Sequence, residues 1–418
     1  MRRSVFSFCL LFVFCLTLHA EQADTLARHW GGSLQVSPGW ALVMDKYQKK
    51  WQKGRRNFSF GGEVTYSALR SDSDVFAAAY GYPTISLGVQ YSFNHGVTMH
   101  RDPDPEWGMA EEVDYDSYLG NSLALYGSFA RPFFRNQRWE ADYSINIGVG
   151  YSPTKYNPVY NVDNEMIGAR WLIFFGAGLH ASYRVARDWG LKAGVEYWHL
   201  SNGALNRPNK GANFLGPSLA LVYEPYYKDV VLPDTALSRK AFKRYVYLNF
   251  TAGVGGKSLN EDWQKTQFQT STDDPEYRTS TFPHYMAYSF QADLMYRYHR
   301  KWASGIGFDV FYGTYASHVR KMDEAKGLSI PHSPWSFGIA FKHQVFYHNL
   351  SMSMSAGPYL YRRMGDNAKR IEKSYYERIG LLYTIPHTGG LSVGGYVKAH
   401  LGKADFTEFV VAYPIVLW

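Results

Sequence analysis

Two residues with complementary chemistry, His199 and Ser201, lie two positions apart in this sequence. An imidazole can take the proton of a neighbouring hydroxyl, and the oxygen then becomes a nucleophile toward a carbonyl carbon. On a β-strand, residues two positions apart project side by side from the same face. The spacing therefore predicts nucleophilic chemistry, provided that a strand carries the pair.

The residues before the pair have the two-residue period of a strand. The apolar set consists of Leu191, Ala193, Val195 and Tyr197. The opposite set consists of Lys192, Gly194 and Glu196. His199 and Ser201 continue the apolar set, so we expect them on the apolar face of one strand.

The same alternation recurs along the chain, for example in 141–151, 245–254 and 350–356. The second face is repeatedly small or polar, and the segments approach the roughly 9–11 residues that a tilted membrane strand needs. Tight and long connections also alternate, as they do in outer-membrane barrels. The pattern predicts an antiparallel transmembrane β-barrel.

About sixteen strands fit this pattern. They are expected near 33–44, 57–68, 83–93, 119–134, 138–152, 167–185, 189–201, 213–224, 244–254, 286–298, 302–314, 335–346, 349–361, 375–385, 390–401 and 405–418. The last strand, Phe406 to Trp418, ends on an aromatic residue. Such an ending is typical of the strand that the outer-membrane assembly machinery recognises.

The N-terminus predicts export. Arg2 and Arg3 precede an apolar run, and Ala20 provides a small residue before Glu21, as in a cleaved signal peptide. Both cysteines of the chain lie within residues 1–20, so the mature chain has neither disulfides nor thiolate metal sites.

Aromatic residues reach 17% and no later apolar stretch is long enough for a membrane helix. The net charge of +8 fits either solvated loops or a basic surface facing anionic lipid.

In such a barrel, the face that carries His199 and Ser201 meets lipid. Polar groups on a lipid-facing wall cost desolvation energy, so their presence there indicates a function. A soluble substrate would meet residues in the lumen, whereas a lipid reaches the outer wall. The expected substrate is therefore a membrane lipid.

Two clusters carry a family resemblance: His199-Leu200-Ser201-Asn202 and Pro208-Asn209-Lys210-Gly211. They resemble the lipid A 3-O-deacylase family, the acyloxyacyl-hydrolase-like outer-membrane barrels. The resemblance implies Ser201 as nucleophile and His199 as the base, with Asn202 or Asn209 as oxyanion donors or substrate-positioning groups. It covers an eight-strand core at about 33–227, and the second half is an extension found in longer relatives.

One position departs from the family pattern. Well-known members carry a glutamate that orients the histidine, and this chain has Asn213. The amide oxygen can still accept the imidazole N–H and fix the tautomer, but it contributes no charge. Glu196 is no substitute, because strand alternation turns it toward the lumen. We therefore expect Ser201, His199 and Asn213 as catalytic residues.

The predicted fold class is all-β, an antiparallel transmembrane β-barrel of about 14–16 strands closed as one barrel. The alternative is an eight-strand deacylase barrel followed by a second barrel-like half. The predicted divisions are a signal peptide at 1–20, deacylase-like strands at 21–227, a periplasmic connection at 228–243 and a second strand set at 244–418.

The predicted function is an outer-membrane enzyme that hydrolyses an ester-linked acyl chain of lipid A by a Ser–His mechanism. The alternatives are an inactive barrel acting as a pore or structural protein, or a different lipid esterase. The expected partners are lipid A or lipopolysaccharide, outer-membrane lipids and the assembly machinery. No metal or other cofactor is expected, and no motif suggests nucleic acid.

Overall fold

A computed structural model describes residues 27–103, 113–231 and 235–418. The predicted signal peptide lies outside these residues. All strands of the two main sheets pair antiparallel with their neighbours, and both sheets close on themselves. The architecture is therefore an all-β barrel fold, as predicted.

Eight strands form the first barrel: β1 (Trp30–Leu42), β2 (Arg56–Tyr66), β3 (Thr84–Gly96), β6 (Ser122–Arg135), β7 (Trp139–Tyr151), β8 (Trp171–Arg184), β9 (Trp189–Ser201) and β10 (Ala212–Tyr223). Eight more form the second: β11 (Tyr245–Lys257), β12 (Tyr285–His299), β13 (Trp302–Gly313), β14 (His332–Tyr347), β15 (Leu350–Met364), β16 (Tyr375–Thr384), β17 (Ser392–His400) and β18 (Lys403–Val416). The two short strands β4 (Thr98–Met99) and β5 (Ser117–Tyr118) pair within a loop of the first barrel.

The helices are short and lie in the connections. The α-helices are Gln48–Trp51, Val75–Tyr80, Tyr227–Val230, Thr235–Ser238, Asn260–Phe268, Ala316–Ala325 and Asp366–Arg370, and the 3-10 turns are Ala27–His29 and Arg70–Asp72. Among the described residues, no helix has the length and apolar character needed to cross a membrane.

The sixteen barrel strands close as two barrels of eight, so the preferred prediction of one large barrel is wrong and the alternative holds. The first strand of each half meets the last strand of the same half: β1 pairs with β10, and β11 pairs with β18. Each half thereby satisfies its own edge hydrogen bonds. The alternation of apolar and polar residues is the same in both arrangements, which is why it could not separate them.

The side chains of both barrels follow the alternation. Outward apolar side chains are exposed, as at Leu87 (62%) and Ile306 (58%). The lumens contain buried ion pairs, such as Lys192 with Asp142 at 2.8 Å and Arg378 with Glu408. Eight strands leave room for little beyond side chains, and an unpaired charge inside would be costly. These charges therefore fill the interiors as mutually neutralising pairs.

Most long connections lie at one end of each barrel, here called the loop end, and most tight turns lie at the other, the turn end. The connection 67–83 is a long one at the turn end, and residues 401–402 form a tight turn at the loop end. The loop end of the first barrel is closed by an apolar cluster from loops and strands. Its loop residues include Val97, Met99, Leu119, Met166 and Ile167, and its strand residues include Trp198, Leu200 and Phe214. The inward side of β9 is therefore packed firmly directly behind His199 and Ser201.

The two barrels touch at both ends. At the turn end, the Tyr80 hydroxyl donates to the carbonyl of Phe346 at 2.8 Å, and the ammonium of Lys301 donates to the carbonyl of Ala79 at 3.0 Å. At the loop end, the Tyr156 hydroxyl donates to the carbonyl of Arg278 at 2.9 Å. The barrels therefore stand side by side.

Candidate active site

His199 and Ser201 lie near the loop end of β9, on its outward face. Leu191 and Val195, on the same face, are 47% and 53% exposed. His199 and Ser201 themselves are half-buried. The strand thus presents both chemical groups to the outside of the barrel, as the alternation predicted.

Strand pairing places Asn213 directly opposite His199, on β10. The Nδ1 atom of His199 lies 2.7 Å from the side-chain oxygen of Asn213. That oxygen can only accept, so the hydrogen bond requires the proton on Nδ1 and leaves Nε2 free to act as a base. The amide oxygen thus has the orienting contact that the sequence predicts for it.

The orientation of the Asn213 amide is itself fixed by Tyr197. The Tyr197 hydroxyl donates to the same amide oxygen at 2.7 Å. With two donors on one side, the oxygen end of the amide, not its NH₂ end, points toward His199. Sequence reasoning placed Tyr197 only in the apolar set. Its position two residues before His199 on the same face was the available signal.

Gly211 closes the site on the side of the imidazole. Its φ of +76° is strained for any residue with a side chain. A Cβ atom at this position would also lie 2.5 Å from Cε1 of His199. Both constraints require glycine, so the glycine of the second motif cluster shapes the space around the imidazole of His199.

Asn202 and Asn209 come together in the structure. The backbone N–H of Asn202 donates to the side-chain oxygen of Asn209 at 2.9 Å. The side-chain oxygen of Asn202 accepts from the N–H of Asn206 at 3.3 Å. The Asn202 Nδ2 group is buried, and no acceptor among the described residues is within hydrogen-bond reach. Of the two predicted oxyanion donors, Asn202 thus retains an unused donor, and Asn209 holds Asn202 in place.

Ser201 lies two residues from His199 on the same face of β9. Within the described ranges, no hydrogen bond joins Ser201 to His199, although both project from one face two residues apart. Nucleophile and base often approach fully only when substrate is bound. On β8, Ile173 lies opposite Ser201 and gives its surroundings an apolar wall.

An ionic network anchors the loop that carries Asn209 and Gly211. The Lys210 ammonium contacts Asp45 at 3.0 Å and Glu165 at 2.5 Å. Burial alone would lower the pKa of Lys210, but the charges of Glu165 and Asp45 outweigh it and raise that pKa. The backbone N–H of Gly211 also donates to the carbonyl of Met166 at 3.0 Å. Three loops are thereby joined around the site, a network that the sequence alone did not indicate.

Two other polar clusters lie inside the barrels. Glu196 points into the first lumen, where it contacts Nε2 of His180 at 3.0 Å, so it does not replace the family's orienting acid. In the second barrel, Glu372, His400 and Asp405 are spaced like metal ligands. Their oxygens and nitrogen are already contacted by cationic side chains, namely Arg362, Lys257 and Lys398. This donor set fits an internal ion-pair network better than a metal site.

Two closed antiparallel sheets with apolar outer walls and ionic lumens define a transmembrane β-barrel protein. Comparison with known families identifies both halves. The family described as "Lipid A 3-O-deacylase (PagL)" matches residues 83–222, which include His199, Ser201 and Asn213. The family described as "Acyloxyacyl hydrolase, C-terminal domain" matches residues 245–416. The chain belongs to the lipid A 3-O-deacylase and acyloxyacyl-hydrolase family, and its second half is a recognised domain of that family.

Solved structures with some similarity include the outer membrane enzyme PagL, at 14% identity over 45% of this chain and 97% of that chain, with a TM-score of 0.29. OccD3 (OpdP) of Pseudomonas aeruginosa matches at 8% identity over 93% of this chain and 92% of that chain, with a TM-score of 0.20. A mutant porin of Rh. blastica matches at 7% identity over 92% and 99%, with a TM-score of 0.16. No curated protein sequence matches the chain.

Proposed function

We propose that this protein is an outer-membrane lipid A deacylase that hydrolyses an ester-linked acyl chain through Ser201 and His199. The observation that carries the proposal is the outward-facing imidazole of His199, oriented by Asn213 at 2.7 Å, beside the hydroxyl of Ser201. Membership of the lipid A 3-O-deacylase family supports the substrate class. The barrel fold supports the location in the outer membrane.

The first half-reaction follows from the tautomer of His199. As Ser201 Oγ attacks the ester carbonyl carbon, its proton passes to Nε2 of His199. The charge that develops on the carbonyl oxygen needs a hydrogen-bond donor, and the unpartnered Nδ2 group of Asn202 is the nearest candidate by chain position. The bond between the carbonyl carbon and the sugar oxygen then breaks, and that oxygen receives the proton from His199. The products at this stage are the sugar alcohol and an acyl-serine.

The second half-reaction uses water. A water molecule gives a proton to His199 and attacks the acyl-serine, and the fatty acid leaves as Ser201 regains its proton from His199. Asn213 holds the imidazole through both halves but adds no charge to stabilise the imidazolium. We therefore expect a slower reaction than a carboxylate at this position would support.

The position of the pair suits a lipid that stays in the membrane. His199 and Ser201 are on the outer wall at the loop end of β9, where a lipid of the outer leaflet meets the barrel. The proposed partners are therefore lipid A or lipopolysaccharide and the surrounding outer-membrane lipids. The outer-membrane assembly machinery is a further proposed partner through strand β18, whose outward side chains include Phe409 and Tyr413.

The test compares lipid A from cells that express the wild type, Ser201→Ala, His199→Gln or the control Ser271→Ala. Ser271 is an exposed serine in a loop of the second barrel. Mass spectrometry is expected to show the loss of one acyl chain with the wild type and Ser271→Ala only. Identical lipid A in all cells would overturn the proposal. Loss of acyl chains from phospholipids instead would identify a different lipid esterase.

A further inference from the structure

The chain immediately after Ser201 makes a tight turn. The N–H of Leu205 donates to the carbonyl of Asn202 at 3.1 Å, and the two central residues, Gly203 and Ala204, have φ of +60° and +70°. Positive φ at both central positions is the signature of a type I′ turn. This turn fixes the direction in which Asn202, the candidate oxyanion donor, leaves the strand.

The turn is strained at one of these positions. Glycine adopts positive φ without steric cost, but Ala204 has a side chain that disfavours it. Such a conformation persists only when its surroundings hold it. The hydrogen bonds that Asn206 and Asn209 of the first barrel make with the turn are on Asn202. They leave the carbonyls of Gly203 and Ala204 to other partners.

Those partners belong to the second barrel. The Thr407 hydroxyl, on β18, donates to the carbonyl of Gly203 at 2.8 Å. The N–H of Ser258, just after β11, donates to the carbonyl of Ala204 at 2.8 Å. The Arg207 side chain completes the junction by donating to the carbonyl of Ser258 at 2.9 and 3.0 Å. Ala204 and Ser258 are fully buried.

Thr407 is an unusual residue for its place. The neighbouring outward residues of β18 are apolar, Phe409 and Val411 among them. A hydroxyl on a lipid-facing wall is costly unless it is hydrogen-bonded. Thr407 also packs so closely against Gly203 that a side chain at that glycine would clash with it. The two barrels are thus fitted to each other at the turn that follows the nucleophile.

We propose that the second barrel is a positioning element of the deacylase site, with Thr407 as the positioning residue that holds the strained turn 202–205 and, through it, Asn202 beside Ser201. The inference rests on the proposed function for its kinetic consequence, and its structural consequence is independent of activity. It assigns the C-terminal domain a role in the reaction of the first barrel.

The kinetic test uses Thr407→Val, which keeps the shape and removes the hydroxyl, and Thr407→Ser, which keeps the hydroxyl. Loss of one hydrogen bond at a positioning contact is expected to lower kcat by about tenfold. Thr407→Ser is expected to remain close to the wild type, and KM on purified lipopolysaccharide in detergent to change little in either variant. The control is Thr384→Val, which removes a threonine hydroxyl bonded to Ser392 at the turn end of the same barrel. Its kcat is expected to equal that of the wild type.

A second-site change separates positioning from simple packing. Ala204→Gly removes the backbone strain, so the turn should depend less on Thr407. In the Thr407→Val background, Ala204→Gly is expected to restore kcat by about fivefold. If Thr407→Val does not fold, as judged by heat-modifiable electrophoresis, the same comparison is made with Thr407→Ala.

Hydrogen–deuterium exchange supplies the readout that needs no activity. The amide hydrogens of 203–206 are expected to exchange faster in Thr407→Val and to recover in the double variant. Wild-type kcat together with unchanged exchange in Thr407→Val would overturn the inference and leave the proposed function intact. A wild type without deacylase activity would overturn the proposed function, and the exchange result would still decide whether the second barrel holds the turn.

Discussion

Asn213 and His199 face each other across β9 and β10, with the amide oxygen of one 2.7 Å from Nδ1 of the other. Asn213 therefore has the geometry of a residue that orients the histidine, but its amide lacks the negative charge of a carboxylate. A carboxylate in the same place would hold the tautomer and also stabilise the imidazolium that forms during the reaction.

Asn213→Asp is therefore expected to raise kcat by about tenfold or more, and Asn213→Leu to lower it by about a hundredfold, because leucine leaves the tautomer unfixed. KM should change little in both variants. The measurement is steady-state release of fatty acid from lipopolysaccharide. Equal kcat in the wild type and both variants would show that Asn213 has no part in orienting His199.

Tyr197→Phe tests whether the second donor fixes the amide. Without the hydroxyl at 2.7 Å, the Asn213 amide can turn its NH₂ group toward His199. We expect kcat to fall by about fivefold in the wild-type background. In the Asn213→Asp background, Tyr197→Phe should lower kcat less. Both oxygens of an ionised carboxylate accept hydrogen bonds, so the side chain has no NH₂ group to turn toward His199. A double-mutant cycle measures this coupling, and strictly additive effects would contradict the assignment.

Gly211→Ala is expected to abolish detectable turnover. The added Cβ would require an unfavourable φ and would press on the imidazole of His199 at 2.5 Å. Gly327→Ala is the matched control, since Gly327 has nearly the same φ, +75°, and nothing within 4 Å of its Cβ position. Gly327→Ala carries a similar backbone cost in a loop of the second barrel, so it shows whether that cost alone disturbs the protein. Equal activity of the two would show that the close approach to His199 is unimportant.

The pair Lys210 and Asp45 predicts how the stability of the loop end depends on pH. Burial would raise the pKa of Asp45, but the charge of Lys210 and the backbone N–H groups of Gln48 and Tyr47 lower it below its ordinary 3.8. A lowered folded-state pKa means that this contribution to stability is present above pH 3.8 and is lost as pH falls through the folded value. The raised pKa of Lys210 means that its contribution is present below pH 10.5 and is lost at higher pH.

Lys210→Met should accordingly lower Tm in detergent by a constant amount between about pH 5 and 9, and the difference from the wild type should shrink below about pH 4. Circular dichroism during heating measures it. Lys403→Met, an exposed lysine at the start of β18, is the control and should not change Tm. A Tm difference that grows on acidification would have the wrong sign for this ion pair.

Much of the site was predictable because strand geometry is local. The period of two predicted which face carries His199 and Ser201, and the family resemblance named Asn213 as the residue at the orienting position. The closure of the sheet was not predictable in this way, since it depends on whether β1 pairs with β10 or with a later strand. Likewise, the contact of Thr407 with Gly203 joins residues 204 positions apart and leaves no periodic trace in the sequence.

The two-barrel closure also bears on the rival function, a passive pore. That idea drew on the wide lumen of a sixteen-strand barrel, whereas eight strands enclose space for little beyond side chains. In the second lumen, Lys342 contacts Asp309 at 2.5 Å and Asp293 at 3.3 Å, and similar pairs fill the first. We expect no steady single-channel current in planar lipid bilayers, both for the wild type and for Ser201→Ala. A stable conductance that changes on Lys342→Met would contradict a filled lumen, because it would place that lysine beside a conducting path.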